Sequence, residues 1–155
     1  MSSKEKDYPL SVFVDYGYHA REIVTPANIG PSSISGVFTP YPKEFVAVWD
    51  TGAVSTAITK DIVAKLSLRQ LGWKMLEGVT GGAVCNTYLI ALFLPNGILI
   101  PELEVADCEG NIGCDILIGM DVISMGDFAI CNQDNRTTFS FRIPSLASIN
   151  FTTSG

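Results

Sequence analysis

A single aspartate lies between apolar residues and a glycine-containing turn in the stretch AVWDTGAVSTAI, residues 47–58. Asp50 follows the run Phe45 to Trp49, whose side chains are typical of a strand that enters a core. A carboxylate in that position is costly unless it is hydrogen-bonded, paired or used in a reaction. The next two residues suit a reaction, because the Thr51 hydroxyl can donate and accept hydrogen bonds and Gly52 lets backbone N–H groups approach the acid. We therefore expect Asp50 to react together with a partner group.

Composition and charge exclude several other classes of function. A chain of 155 residues with 47% hydrophobic residues suits one domain with a substantial core. Sixteen acidic residues against ten basic ones, with no basic cluster, argue against a nucleic-acid partner. The longest apolar run, residues 88–94, is too short to cross a bilayer, and the polar start is not a signal peptide. We therefore expect no membrane partner and a cytoplasmic location.

The other residues that could do chemistry form weaker patterns. The four cysteines have no CxxC spacing and His19 is the only histidine, so we expect no metal, no cofactor, and reduced, mostly buried thiols. A Cys-His or Ser-His-Asp enzyme would need His19, which lies in a polar stretch, and no GxSxG motif presents a serine. Residues 78–83, GVTGGA, lack a P-loop lysine and a following helix, which favours a hairpin tip over a phosphate-binding loop.

The elements that must position Asp50 are predicted to be mainly short strands, in a sandwich or partly closed barrel with one or two short helices. Thr59 predicts the N-cap of a helix from Lys60 to Leu66, and a second helical turn is expected at residues 120–124. Asn96-Gly97 predicts a two-residue hairpin turn, and residues 28–36 are interpreted as a loop or a hairpin connection. The predicted strands are 10–14, 21–24, 45–49, 73–77, 83–94, 98–105, 115–118, 127–131 and 138–143.

The domain organisation follows from the same patterns. Residues 1–9 are charged and expected to be loose, residues 10–144 are predicted to form one domain, and residues 145–155 form a tail. The alternation of Phe139, Phe141 and Ile143 predicts a half-buried last strand, and Trp49 and Trp73 are interpreted as core or interface aromatics.

Three motifs in this order resemble the retropepsin-like aspartic proteases, the retroviral and retrotransposon type of single-domain aspartyl protease. They are AVWDTGAVSTAITKDIV at 47–63, the tip GVTGG at 78–82 and DILIGMDVI at 115–123. The resemblance implies a β-barrel of the acid-protease type, with Asp50 as the catalytic residue and Thr51 bonding across a dimer interface. It also implies that Gly52 and Ala53 border the substrate backbone.

The resemblance assigns the other two motifs as well. Gly78, Val79, Thr80, Gly81 and Gly82 would form the tip of a flap that closes over the substrate. The strand and turn that carry Ile118 would lie behind the catalytic loop, and Ile118 would contribute to substrate binding. Viral members have an Arg-Asn pair after the glycine of this motif, where this chain has Met120 and Asp121.

In the family each chain contributes one such aspartate, and this sequence contains DTG once and DSG nowhere. The implied partner of Asp50 is therefore Asp50 of a second copy, in a homodimer. Two adjacent carboxyl groups share one proton, which strongly raises one apparent pKa of the pair. The ionised member would activate a water molecule while the protonated member polarises the scissile carbonyl of a peptide substrate.

Three alternatives stay open at this point. Asp115 or Asp121 could pair with Asp50 within one chain, although Asp121 also suits a helix cap and Asp115 the start of a strand. Asp50 could be a turn-forming residue without catalytic role. The same fold could also serve as a dimeric peptide- or protein-binding domain that cleaves weakly or not at all.

Overall fold

The structure, a computed structural model, describes residues 10–78, 81–108 and 113–153. Within these ranges ten strands and two short α-helices confirm the mainly β prediction, and no helix is long and apolar enough to cross a membrane. The helices are α1, Lys60–Lys65, and α2, Met120–Ile123. The strands are β1 Leu10–Asp15, β2 Ile23–Pro31, β3 Phe45–Trp49, β4 Ala57–Thr59, β5 Gln70–Gly78, β6 Gly81–Leu94, β7 Ile98–Cys108, β8 Ile116–Ile118, β9 Asp127–Cys131 and β10 Thr138–Ile143.

Seven strands form one sheet in the order β2-β3-β8-β4-β7-β6-β5. One half of β2 pairs with β3, where Ile23 lies opposite Trp49, and the other half pairs with β6, where Ile29 lies opposite Leu92. These two pairings close six of the strands into a ring and leave β5 attached to β6 alone. Strands β3 and β8 are parallel, so the segments that follow Trp49 and Ile118 leave the ring at the same edge.

A second sheet, in the order β1-β10-β9, covers one side of the ring through aromatic side chains. The ring of Trp49 lies 5.1 Å from that of Phe139 and 4.9 Å from that of Phe141, and its indole N–H donates to Thr25 Oγ1 at 3.0 Å. Phe139 and Phe141 are buried, as the alternation along β10 predicts. Trp73 is 69% exposed, so it is not a core residue, and its alternative interpretation as an interface residue stays a prediction.

The first helix confirms its prediction to within one residue. The Thr59 side chain accepts a hydrogen bond from the Ile62 N–H, as an N-cap does, and Leu66 is the C-cap. On its exposed side Lys65 and Asp61 form an ion pair at 2.6 Å, four residues apart.

Several predicted boundaries are wrong, because the pairing partners lie far away in the sequence. β2 runs on through Pro31, since residues 28–31 pair with β6, so only the second half of the predicted loop at 28–36 is outside a strand. Three residues, Pro95 to Gly97, connect β6 to β7 instead of two, because Leu94 pairs with Ile98.

The cysteines are not mostly buried, since Cys85 is buried, Cys108 and Cys114 are partly buried, and Cys131 is exposed.

Asp127, at the start of β9, ties the tail to the second sheet. Its carboxylate accepts hydrogen bonds from the Leu146 and Ala147 N–H groups, at 2.9 and 3.3 Å, and from the Ser145 hydroxyl. It also forms an ion pair with Arg142 at 2.6 Å. The Leu146 N–H, the Ser145 hydroxyl and then Arg142 hold the pKa of Asp127 well below its ordinary value.

Asp127→Asn is expected to release residues 145–147 and to lower stability at neutral pH. Because the folded-state pKa lies below the unfolded value of about 3.9, this contribution is present above that pH and is lost as the pH falls further. The difference in urea midpoint between the wild type and Asp127→Asn should therefore shrink below about pH 4. A difference of the same size at pH 7 and pH 3 would contradict this role of the carboxylate.

Candidate functional site

Asp50 follows the last residue of β3, at the edge where β3 and β8 end together. Its backbone N–H donates to the Ile118 carbonyl at 2.8 Å, which continues the pairing of the two strands by one residue. Its carbonyl accepts a hydrogen bond from the Ala53 N–H at 3.2 Å and so closes a turn. The Asp50 carboxylate is partly exposed at the mouth of this turn.

Within the turn, the carboxylate is oriented by the backbone. The Gly52 N–H donates to Asp50 Oδ1 at 2.8 Å, so the approach of a backbone N–H predicted from the sequence is present. A Cβ at position 52 would lie 3.1 Å from the same oxygen, closer than such atoms normally approach. Glycine therefore leaves the carboxylate accessible, while Thr51 is exposed beside it.

The start of α2 holds the loop from behind. The Met120 N–H donates to the Ala53 carbonyl at 2.8 Å, and the Asp121 N–H donates to the Val54 carbonyl at 3.2 Å. The backbones approach so closely that a Cβ on Gly119 would lie 2.6 Å from the Ser55 carbonyl carbon. The position of Asp50 is thus fixed from both ends of its loop, by β8 and by α2.

The Asp121 side chain bonds α2 to Thr56, just after the Asp50 loop, and is not the helix cap that its sequence position predicts. The N-cap residue of α2 is Gly119, and Asp121 lies in the first turn. Its carboxylate accepts from the Thr56 N–H at 2.8 Å and from the Thr56 hydroxyl at 2.7 Å, while Thr56 Oγ1 in turn accepts from the Gly119 N–H at 3.2 Å. Asp121 meets Thr56 because the chain bends at residues 54–55, which brings the buried Thr56 against α2.

Asp115 has a similar structural task at the other end of β8. Asp115 Oδ2 accepts a hydrogen bond from the Val46 N–H at 2.8 Å, and the Asp115 N–H donates to the Val46 carbonyl at 3.0 Å. The carboxylates of Asp115 and Asp121 are therefore both engaged by groups that stabilise the fold. These contacts weigh against either of them as an intrachain partner of Asp50.

The glycines of the predicted flap lie at the end of the β5–β6 hairpin. Gly78 pairs with Gly81, Glu77 pairs with Gly82, and Gly81 has a φ of +123°, which favours glycine. Val79 and Thr80 lie outside the described residues. The predicted site residues thus form two groups: Asp50, Thr51, Gly52, Ala53 and Ile118 at the loop, and Gly78, Gly81 and Gly82 at the hairpin.

Sequence reasoning did not identify Thr56 or Asp107 as residues that support these groups. Thr56 lies six residues after Asp50 in a run of small residues, and the only signal would have been its polarity beside the apolar Ala57 and Ile58. Asp107 likewise interrupts an apolar strand. In the described ranges, no group of three or more His, Cys, Asp or Glu side chains could hold a metal ion.

The structure is similar to those of retropepsin-like aspartic proteases, as the motifs predict. A retropepsin-like aspartic protease from Rickettsia conorii shares 15% identity, with 81% of this chain and 98% of that chain covered and a TM-score of 0.46. The EIAV protease shares 19% identity, with 67% and 86% covered and a TM-score of 0.47. The simian foamy virus protease shares 15% identity, with 64% and 92% covered and a TM-score of 0.43. No protein-family model and no curated protein matches the sequence.

Proposed function

We propose that this protein is an aspartic endopeptidase that acts as a homodimer on extended polypeptide substrates in the cytoplasm. The observation that carries the proposal is the presentation of Asp50: its carboxylate is partly exposed, bonded to the Gly52 N–H, and held on a loop fixed by Ile118 and Met120. A group that transfers protons must keep its position while its charge changes, and a loop bonded at both ends provides this.

In this proposal the two copies of Asp50 share one proton across the dimer axis. The ionised carboxylate removes a proton from a bound water molecule as that water attacks the scissile carbonyl. The protonated carboxyl group donates a hydrogen bond to the carbonyl oxygen and then helps to protonate the leaving nitrogen. The water supplies the nucleophile, so the proposed route needs neither a covalent intermediate nor a metal.

The remaining proposed roles are those that the resemblance of the motifs implies. Thr51, exposed beside Asp50, bonds across the dimer axis, and Gly52 and Ala53 border the substrate backbone. The side chain of Ile118 is fully buried, so Ile118 contributes to substrate binding by holding Asp50 through its carbonyl and not by contact with the substrate. The residues 78–82, including Val79 and Thr80, close over the substrate and exclude bulk water.

The test is cleavage of a mixed peptide library between about pH 4 and pH 7, the range in which a shared-proton pair stays singly protonated. We expect cuts that pepstatin abolishes, made by a species with twice the mass of the chain in sedimentation. A dimer of that mass that cuts no peptide at any pH would contradict the enzyme and favour a peptide-binding domain. Cleavage by a monomer would contradict the shared site.

A further inference from the structure

Asp107, near the end of β7, is the one charged side chain that is buried in the described ranges, at 3% exposure. Its carboxylate accepts three hydrogen bonds, from the Asn86 N–H at 2.9 Å, the Asn86 side-chain amide at 3.3 Å and the Tyr88 hydroxyl at 3.3 Å. Burial, and after it the Asp107 carboxylate, raise the pKa of Tyr88, so the phenol stays protonated and remains a donor. All three of these side-chain bonds thus come from β6.

These bonds lie where the β5–β6 hairpin leaves the ring. The ladder between β6 and β7 runs from Leu94 and Ile98 to Thr87 and Ala106. Beyond it the Asn86 N–H donates to the side chain of Asp107, and β6 from Asn86 to Gly81 pairs with β5. At the same point β7 pairs with β4, where Asp107 lies opposite Ile58. The Asp107 carboxylate therefore replaces the backbone ladder at the root of the hairpin.

The network also reaches β5. The Gln70 side-chain amide donates to Asn86 Oδ1 at 3.0 Å and to the Gly72 carbonyl at 3.1 Å. A bulge interrupts the β5–β6 register between Gln70 and Gly72, so backbone pairing alone holds this corner less firmly. The side chains of Gln70, Asn86 and Asp107 join three strands at one place.

Beyond this root the hairpin has little core of its own. Most of its larger apolar side chains are exposed, namely Leu71, Trp73, Met75 and Val84, and Leu76 is partly buried. From Asn86 to Gly81 the strand covers six residues. Their Cα atoms span about 17 Å, so a rotation of about 10° at the root moves the tip by about 3 Å. The direction of the hairpin therefore depends on contacts at its root.

We propose that Asp107 is a positioning residue that sets the direction and the closure of the β5–β6 hairpin through Asn86. The effect on the hairpin stands on the contacts above, whereas the effect on substrate rests on the proposed function. A loosened root would leave the tip less often in the closed position. Substrate would then bind more weakly, while the Asp50 loop and the chemical step change less.

The experiment is amide hydrogen exchange, followed by NMR, on Asp107→Asn and on the control Glu104→Gln, an exposed carboxylate on the same strand. In either orientation of its amide, an asparagine at 107 presents its NH₂ group to a donor of Asn86, so amide exchange at residues 73–77 and 82–86 should rise about tenfold or more. The amides of β3 and β8 should keep their rates, and Glu104→Gln should change neither set. Unchanged hairpin exchange, or an equal rise throughout the protein, would overturn the proposal.

Two further variants keep the test decisive if Asp107→Asn folds poorly. The double variant Asn86→Asp with Asp107→Asn exchanges the acid and the amide, and should return hairpin exchange towards the wild-type rates. Gln70→Ala removes only the exposed member of the network and should raise hairpin exchange alone. A double variant no better protected than Asp107→Asn, or a Gln70→Ala protein with wild-type rates, would contradict the network.

The peptide assay then reports the consequence for catalysis. We expect Asp107→Asn to raise KM about tenfold with kcat changed by less than about threefold. A fall in kcat alone would show that the carboxylate does not act through closure. If the wild type cleaves no peptide, the proposed function fails, and the exchange rates still decide the role of Asp107 in the hairpin.

Discussion

Asp50→Asn is expected to abolish peptide cleavage, by at least about 10³-fold, and to leave the fold and the dimer intact. Asparagine has nearly the same shape as aspartate and can still accept the Gly52 N–H, but it neither takes up nor gives a proton. The measurement is the initial rate on a peptide that the wild type cleaves, with sedimentation and circular dichroism as controls for dimer and fold. The matched variant Asp61→Asn changes an exposed acid of α1 and should cleave at the wild-type rate.

Mixing the wild type with Asp50→Asn tests whether the site contains both copies of Asp50. If each site needs one aspartate from each chain, an equal mixture that exchanges subunits contains about one quarter wild-type dimers. Its activity is then about one quarter of that of the wild type at the same total protein concentration. A site complete within one chain would give about one half. Full activity in Asp50→Asn itself would remove Asp50 from the reaction.

Gly119→Ala is expected to lower the free energy of unfolding by about 3 kcal/mol or more. Gly119 has a φ of −95°, which any residue adopts, so the cost is steric and not conformational. The added Cβ would lie 2.6 Å from the Ser55 carbonyl carbon and 2.9 Å from the Ala53 oxygen. These are backbone atoms, so no side-chain rotation relieves the contact and the Asp50 loop must move away from α2.

Urea denaturation measures this loss, with Gly72→Ala as the matched control. A Cβ at Gly72 would meet its nearest neighbour, Thr87 Oγ1, at an ordinary 3.5 Å. The control should therefore unfold within about 1 kcal/mol of the wild type. A Gly119→Ala protein as stable as the control would show that the loop and α2 can separate without cost.

The sequence was sufficient to predict those helices and strands whose formation depends on residues close to them in the chain. The Thr59 cap and the apolar run before Asp50 predicted α1 and β3, and the alternation of Phe139, Phe141 and Ile143 predicted β10 at its observed bounds. In each case the relevant preference acts within a few residues, through capping or through the two-residue period of a strand.

The missed features depend on partners that are distant in the sequence. β4 is only Ala57–Thr59, and its extended conformation depends on pairing with β7 and β8, about fifty and about sixty residues further along. Thr56 donates a hydrogen bond to Asp121, 65 residues away, and Asn86 donates one to Asp107, 21 residues away. A residue's type limits which bonds it can make, but the fold decides which group it meets. The catalytic role of Asp50 stays a prediction from its motif.

The pairing of β1 with β10 has a consequence for how the chain folds. Leu10 lies opposite Ile143, and the ring itself needs Ala47 to meet Ile116. Such distant pairings make folding slow, on the order of milliseconds to seconds, because chain entropy is lost before the contacts form. During synthesis β1 emerges before every other described strand and finds its partner last. Until then its backbone hydrogen-bonding groups are open to other chains, so chaperones that bind extended segments should matter most for this strand.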